Sequence, residues 1–139
     1  MSDNPFVGKW MYRSLLNDPD MNKNFNDLEF GRADLVIAEA APQLLQGTIG
    51  GPDWSLTLHG SRGYGSPMQV RFQGKGHVHG EEWVYDYIGW LVPVWPNSTA
   101  ALQRAAIVGS VVRTVPHSSG SGGTSPAGVV ASFYAVAQG

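Results

Sequence analysis

The run Gly76-His77-Val78-His79-Gly80-Glu81-Glu82-Trp83 puts two imidazoles one residue apart and two carboxylates just behind them. Imidazoles and carboxylates hold zinc or iron, and a competent site gathers three or four such donors with a second shell to orient them. Two histidines are two ligands. Glu81 or Glu82 is the available third, and the next histidine, His117, stands beside a Gly/Ser-rich tract. The backbone beneath them decides whether they converge. In an unbroken strand successive side chains point to opposite faces. His77 and His79 then share a row with Gln69, Arg71, Gln73 and Lys75, while Met68, Val70, Phe72 and Val78 take the other face with Gly74 and Gly76 between them. On that phase the histidines face water, and no metal is assigned.

A second group could move protons. Over residues 82–92 one face reads Trp83, Tyr85, Tyr87, Gly89, Leu91 and the other Val84, Asp86, Ile88, Trp90, Val92. Both are largely apolar, so this strand is expected to be covered on two sides. A carboxylate at Asp86 must then be hydrogen-bonded, paired or protonated. Arg113, between Val111 and Val115, is the expected counter-charge, either fixing two strands or anchoring a ligand. With Tyr85 beside it, Asp86 is the candidate general acid or base if the chain is an enzyme. No Ser-His-Asp or Cys-His arrangement is legible, which argues against a covalent mechanism.

Such groups need a scaffold, and the composition narrows it. Among 139 residues there are 18 glycines, nine prolines and only 14% charged residues, which is poor material for long helices. The five Trp, five Tyr and five Phe sit in short runs with Val, Ile and Thr, as strands require. Eight strands are expected, over 7–15, 30–39, 43–50, 53–60, 67–78, 82–92, 105–115 and 128–137. A break at Gly74-Lys75-Gly76 would give nine. GGPD at 50–53 and SRGYGSP at 61–67 are turns. The expected fold class is therefore all-β: an eight-stranded antiparallel up-and-down barrel with little helix, one domain over 1–139. Eight strands enclose an interior that side chains nearly fill, or that holds one small ligand. Three connections are longer: 16–27, 93–104 with one helical turn capped by Ser98, and 116–128, read as a flexible linker.

Several partner classes are disfavoured. The net charge is −2 with no basic run, which argues against nucleic acid or an anionic membrane surface. No apolar stretch reaches spanning length, and MSDNPFVGKW lacks the pattern of a signal peptide. The absence of cysteine excludes disulfides and thiolate metal sites. A cytoplasmic protein without a cofactor is the expectation, with the sequon Asn97-Ser98-Thr99 unglycosylated.

Alternation also assigns a cavity. Trp10, Tyr12 and Ser14 share one face of the first strand, and Trp54, Leu56 and Leu58 share one face of the fourth. Aromatic walls with a few aimed polar groups suit a small molecule. The expected ligand-binding set is Tyr12, Ser14, Trp54, Phe72, Tyr85, Asp86, Trp90 and Arg113, with loops 16–27 and 93–104 as lids.

Gly8-Lys9-Trp10 at the start of an eight-stranded meander resembles the Gly-x-Trp signature of calycins, the lipocalins and avidins. Asp86-Tyr87 is similar to part of the second lipocalin motif, with Tyr85 where that motif has Thr. The segment 90–115 is similar in spacing to the last two avidin strands. The resemblance implies that Trp10 closes one end of a barrel, with a basic side chain from a late strand, here Arg113, packed on it. Three functions remain open: binding of a small hydrophobic or aromatic molecule, ranked first; a cofactor-independent isomerase, cyclase or hydratase using Asp86 and Tyr85; and a structural role in a homo-oligomer.

Overall fold

The computed structural model describes residues 4–97, 102–119 and 122–138. Eight antiparallel strands close a barrel: β1 (Gly8–Leu16), β2 (Glu29–Ala41), β3 (Leu44–Gly51), β4 (Trp54–Gly63), β5 (Gln69–Val78), β6 (Glu81–Val92), β7 (Ala106–Arg113) and β10 (Val130–Ala137). Each pairs with its neighbour in the chain, and β10 closes on β1. Between β7 and β10 a separate two-stranded ribbon forms from β8 (His117–Ser118) and β9 (Thr124–Ser125). The only helix among the described residues is a 3-10 turn, Phe25–Leu28, capped by Asn24 Oδ1, which accepts from the Asn26 amide at 2.8 Å. No helix among them is long and apolar enough to cross a membrane. The helical turn expected at Ser98 falls on residues outside those described.

The strand β5 is unbroken, so the nine-strand division does not occur. Its inward row of Val70, Phe72, Gly74 and Val78 is buried, and Arg71, Gln73, Lys75 and His77 face solvent. His79 is not on that row. It has φ 52° and is followed by Gly80 at φ 82°. Val78 pairs with Glu81, so these two residues are the centre of a tight hairpin. Positive φ at both central positions is the primed turn that matches strand twist. Gly74 is a close approach: a Cβ there would stand 3.3 Å from Leu56 Cδ1, Leu58 Cδ2 and Tyr87 Cε1.

The core runs the length of the barrel, and one end is plugged. Phe6 and Trp10 are fully buried, and the Trp10 indole donates to the Phe6 carbonyl at 3.0 Å. Asn4 holds this N-terminal turn by donating to Glu39 at 3.1 Å. Trp10 thus lies where the calycin resemblance puts it. Arg113 does not pack on it: β7 runs antiparallel to β6 and ends at the far mouth, so Arg113 sits at the opposite end of the barrel. A basic residue near the plugged end is Arg62, stacked over Tyr64 at 4.5 Å, with Nε and Nη1 buried and unpartnered among the described residues.

Midway, four rings fill the interior. Tyr12 packs on Phe133 at 5.3 Å between centroids, Phe72 on Tyr87 at 4.9 Å, and Tyr87 meets Tyr12 and Phe133 edge-on at 6.0 Å. Edge-to-face and offset pairs suit the ring quadrupoles and add about 0.5–1.5 kcal/mol each beyond area burial. Above this layer the barrel is hollow.

Candidate functional site

The hollow end is built by the strand termini that meet there: the ends of β1 and β7 and the starts of β2, β4 and β6. They line a half-open cavity of about 270 Å³ bordered by Tyr12, Ser14, Phe30, Gly31, Arg32, Trp54, Leu56, Trp83, Tyr85, Tyr87, Val111, Arg113 and His117. A water molecule claims roughly 30 Å³ of liquid, so there is room for about nine waters or one compact ring with a short substituent. The rings of Tyr12 and Tyr87 form the floor. Burial pushes both phenols well above their ordinary range, so they stay neutral. Ser14 is fully buried beside the Gly31 carbonyl at 3.5 Å.

The roof comes from a segment that the sequence reads as a linker. After β7, Thr114 still bonds the Val84 carbonyl through its amide and its hydroxyl, both at 2.9 Å. The chain then leaves the sheet and returns, closing the loop where the Gly128 amide donates to the Arg113 carbonyl at 2.7 Å. Inside that loop the β8–β9 ribbon swings His117 over the barrel mouth. The imidazole is buried and stacked on Trp83, with centroids 4.0 Å apart and planes 15° from parallel. Trp83 in turn faces Trp54 at 6.2 Å.

The polar groups of the roof form one directed chain. His117 Nδ1 lies 3.0 Å from the Ser118 carbonyl, which only accepts. In the neutral ring Nδ1 therefore carries the proton and Nε2 accepts, from the Tyr85 hydroxyl at 2.8 Å. The Tyr85 oxygen in turn accepts from Arg113 Nε at 2.9 Å. Glu81 steadies the far end, accepting from the Ser118 amide at 3.0 Å. Arg113 lies over the Phe30 ring at 4.9 Å and donates from Nη1 to the Pro126 carbonyl at 3.2 Å. So Arg113, Tyr85 and His117, widely separated in the chain, present a cation, a hydroxyl and an imidazole to one apolar cavity.

Of the expected ligand set, Tyr12, Ser14, Trp54, Tyr85 and Arg113 come together here. Phe72 lies below them in the packed layer against Tyr87 and is not among the lining residues. Asp86 and Trp90 are placed elsewhere, for one reason of phase. Tyr85, Tyr87 and Gly89 are the buried row of β6, so Asp86 and Trp90 point outward. Asp86 is not a buried carboxylate and does not pair with Arg113: it accepts from Gln73 at 2.9 Å on the outer surface. Arg113 is in register with Tyr85, whereas the cross-strand partner of Asp86 is Val112. Trp90 is exposed next to Val108, so the outer face of β6 is not covered by another element at that point. Loop 16–27 leads into the cavity wall at Phe30. Loop 93–104 joins β6 to β7 at the plugged end and is no lid.

His77 is on the outer face and His79 is in the hairpin turn. Glu82 pairs with Lys75 at 3.6 Å on the surface, and Glu81 serves Ser118. Among the described residues no three of His, Cys, Asp and Glu lie close enough to hold a metal ion. Comparison with protein-family models, curated proteins and solved structures finds no match to this chain.

Proposed function

We propose that the chain is a small-molecule-binding barrel that holds one compact hydrophobic or aromatic ligand above the Tyr12–Tyr87 floor. The observation that carries this reading is the cavity of about 270 Å³ with aromatic walls on several sides and three polar groups on one. A site of that make-up fixes a ligand by burying its apolar surface and orients it by a few polar contacts. Kinship with calycin-type barrels belongs to the same proposal, supported by the eight-stranded meander and by Trp10 at the plugged end. Thermal unfolding against a panel of single-ring compounds tests the reading. A bound ligand stabilises the folded state by about 2.7 kcal/mol at a hundredfold excess over its dissociation constant. Val111→Phe, which puts a ring into the cavity wall, is expected to abolish that stabilisation. A panel in which no single-ring compound raises the unfolding temperature would count against the proposal.

The directed chain through the roof favours a second reading, a cofactor-independent acid–base enzyme. Tyr85 is held by Arg113 on one side and His117 on the other, so its proton can pass to His117 Nε2 while its oxygen, still accepting from Arg113, takes a proton from a substrate. These two replace the Asp86–Tyr85 pair as candidates. Groups in such roles contribute roughly 10²–10⁴-fold to rate. Turnover of any cyclisable or isomerisable substrate should then fall by that order in Tyr85→Phe and stay unchanged in Asp86→Asn. Full activity in Tyr85→Phe removes this reading.

A further inference from the structure

We infer that the cavity selects ligands carrying an anionic oxygen, a small cyclic carboxylate above all, and that Arg113 is the side chain that recognises it. This rests on the proposal that the cavity binds a small molecule, and it names the class.

The charge balance of the lining is one-sided. Arg113 and His117 bring a cation and an imidazole to the cavity, Arg32 borders it from the exposed row of β2, and no aspartate or glutamate lines it. Arg32 is already committed, 2.8 Å from Glu29, with its side chain two-thirds exposed. Arg113 is not: among the described residues it makes no ion pair. Its fork carries five N–H groups, of which Nε serves Tyr85 and Nη1 serves Pro126, leaving Nη2 without a partner among the described residues. A partly buried guanidinium without a carboxylate partner still has N–H groups to offer an anion. The planar fork fits a carboxylate with two parallel hydrogen bonds.

A second group makes the same demand independently. Trp83 Nε1 is buried and has no hydrogen-bond partner among the described residues. An indole N–H can only donate, so it too waits for an acceptor. Both open groups are donors on residues that line the cavity, and His117 packs beside both by stacking on Trp83 and bonding Tyr85. A ligand whose polar end is itself a donor would leave both unsatisfied. A neutral acceptor would leave the charge of Arg113 uncompensated.

Calorimetric titration of the full chain with benzoate and with benzamide separates the possibilities, since the two differ little in shape and by one charge. Benzoate is expected to bind about tenfold more tightly or better, given the strength of charge-assisted hydrogen bonds. Arg113→Met keeps most of the stem and removes the charge, and should erase the preference. Arg71→Met, on the outer face of β5, should preserve it. Benzamide binding as tightly as benzoate to the unaltered protein overturns this inference while leaving a cavity that binds small molecules. An Arg113→Met variant that folds and still prefers benzoate overturns it in the same way. Binding of neither compound overturns the anion preference and the binding proposal together.

Discussion

The Tyr85 hydroxyl lies 2.8 Å from Nε2 of His117, a residue 32 positions later in the chain. That contact joins a barrel strand to the ribbon that roofs the cavity, and it places the polar groups of the site on one side of an aromatic chamber.

Tyr85→Phe removes the shared hydroxyl and leaves two buried partners, Arg113 Nε and His117 Nε2, without it. Unsatisfied groups of this kind cost about 1–3 kcal/mol. Urea unfolding should show a loss in that range at an unchanged slope. A variant as stable as the unaltered protein would mean the contact is not made in solution.

His117→Ala deletes the stack on Trp83 and the bond to Tyr85 together. The ribbon has few other ties to the barrel, so the expected effect is local. Amide exchange of residues 114–119 should accelerate by at least about tenfold, while the strands keep their protection. Uniform acceleration over the whole barrel would contradict this placement.

Tyr12 and Tyr87 set an alkaline limit. Burial raises both phenols above the ordinary value of 10.0 in the folded state. Above pH 10 the unfolded chain therefore releases protons that the folded chain retains, and stability falls with rising pH. The contribution is fully present below that pH and is lost above it. Absorbance of ionised tyrosine, followed against pH, should show these two rings ionising only as the barrel unfolds. Their smooth ionisation in the folded protein would show that the floor of the cavity is wet.

Asp86→Asn and Trp90→Ser test the phase of β6. Both side chains face outward, so each change should alter ligand affinity negligibly. A large loss of binding in either would return these residues to the interior.

The strands were legible because alternation is a strong signal where one face is polar. In β4, Leu56 and Leu58 alternate with Thr57 and His59, and only one phase buries the leucines. In β6 both faces are apolar, so pattern alone does not choose between Tyr85 and Asp86 and the expected set holds both; the structure turns Asp86 outward. The register decided it, by setting Tyr85 opposite Arg113. His117 was missed for a different reason. A two-residue strand shows no period, and the glycines and serines after it describe a linker equally well. Its one local signal was position, as the last ring-bearing side chain before that tract. The His77–His79 motif proved to be hairpin geometry, with the Gly after His79 supplying the turn.

On the proposed function, a small molecule enters the chamber between Trp54, Trp83 and Arg113. The most direct test follows the five indole N–H resonances of ¹⁵N-labelled protein during titration with benzoate. The signals of Trp83 and Trp54 should shift saturably, while those of Trp90 and Trp95 on the surface stay fixed. Unmoved Trp83 and Trp54 signals, or a response confined to the exposed indoles, would contradict the account.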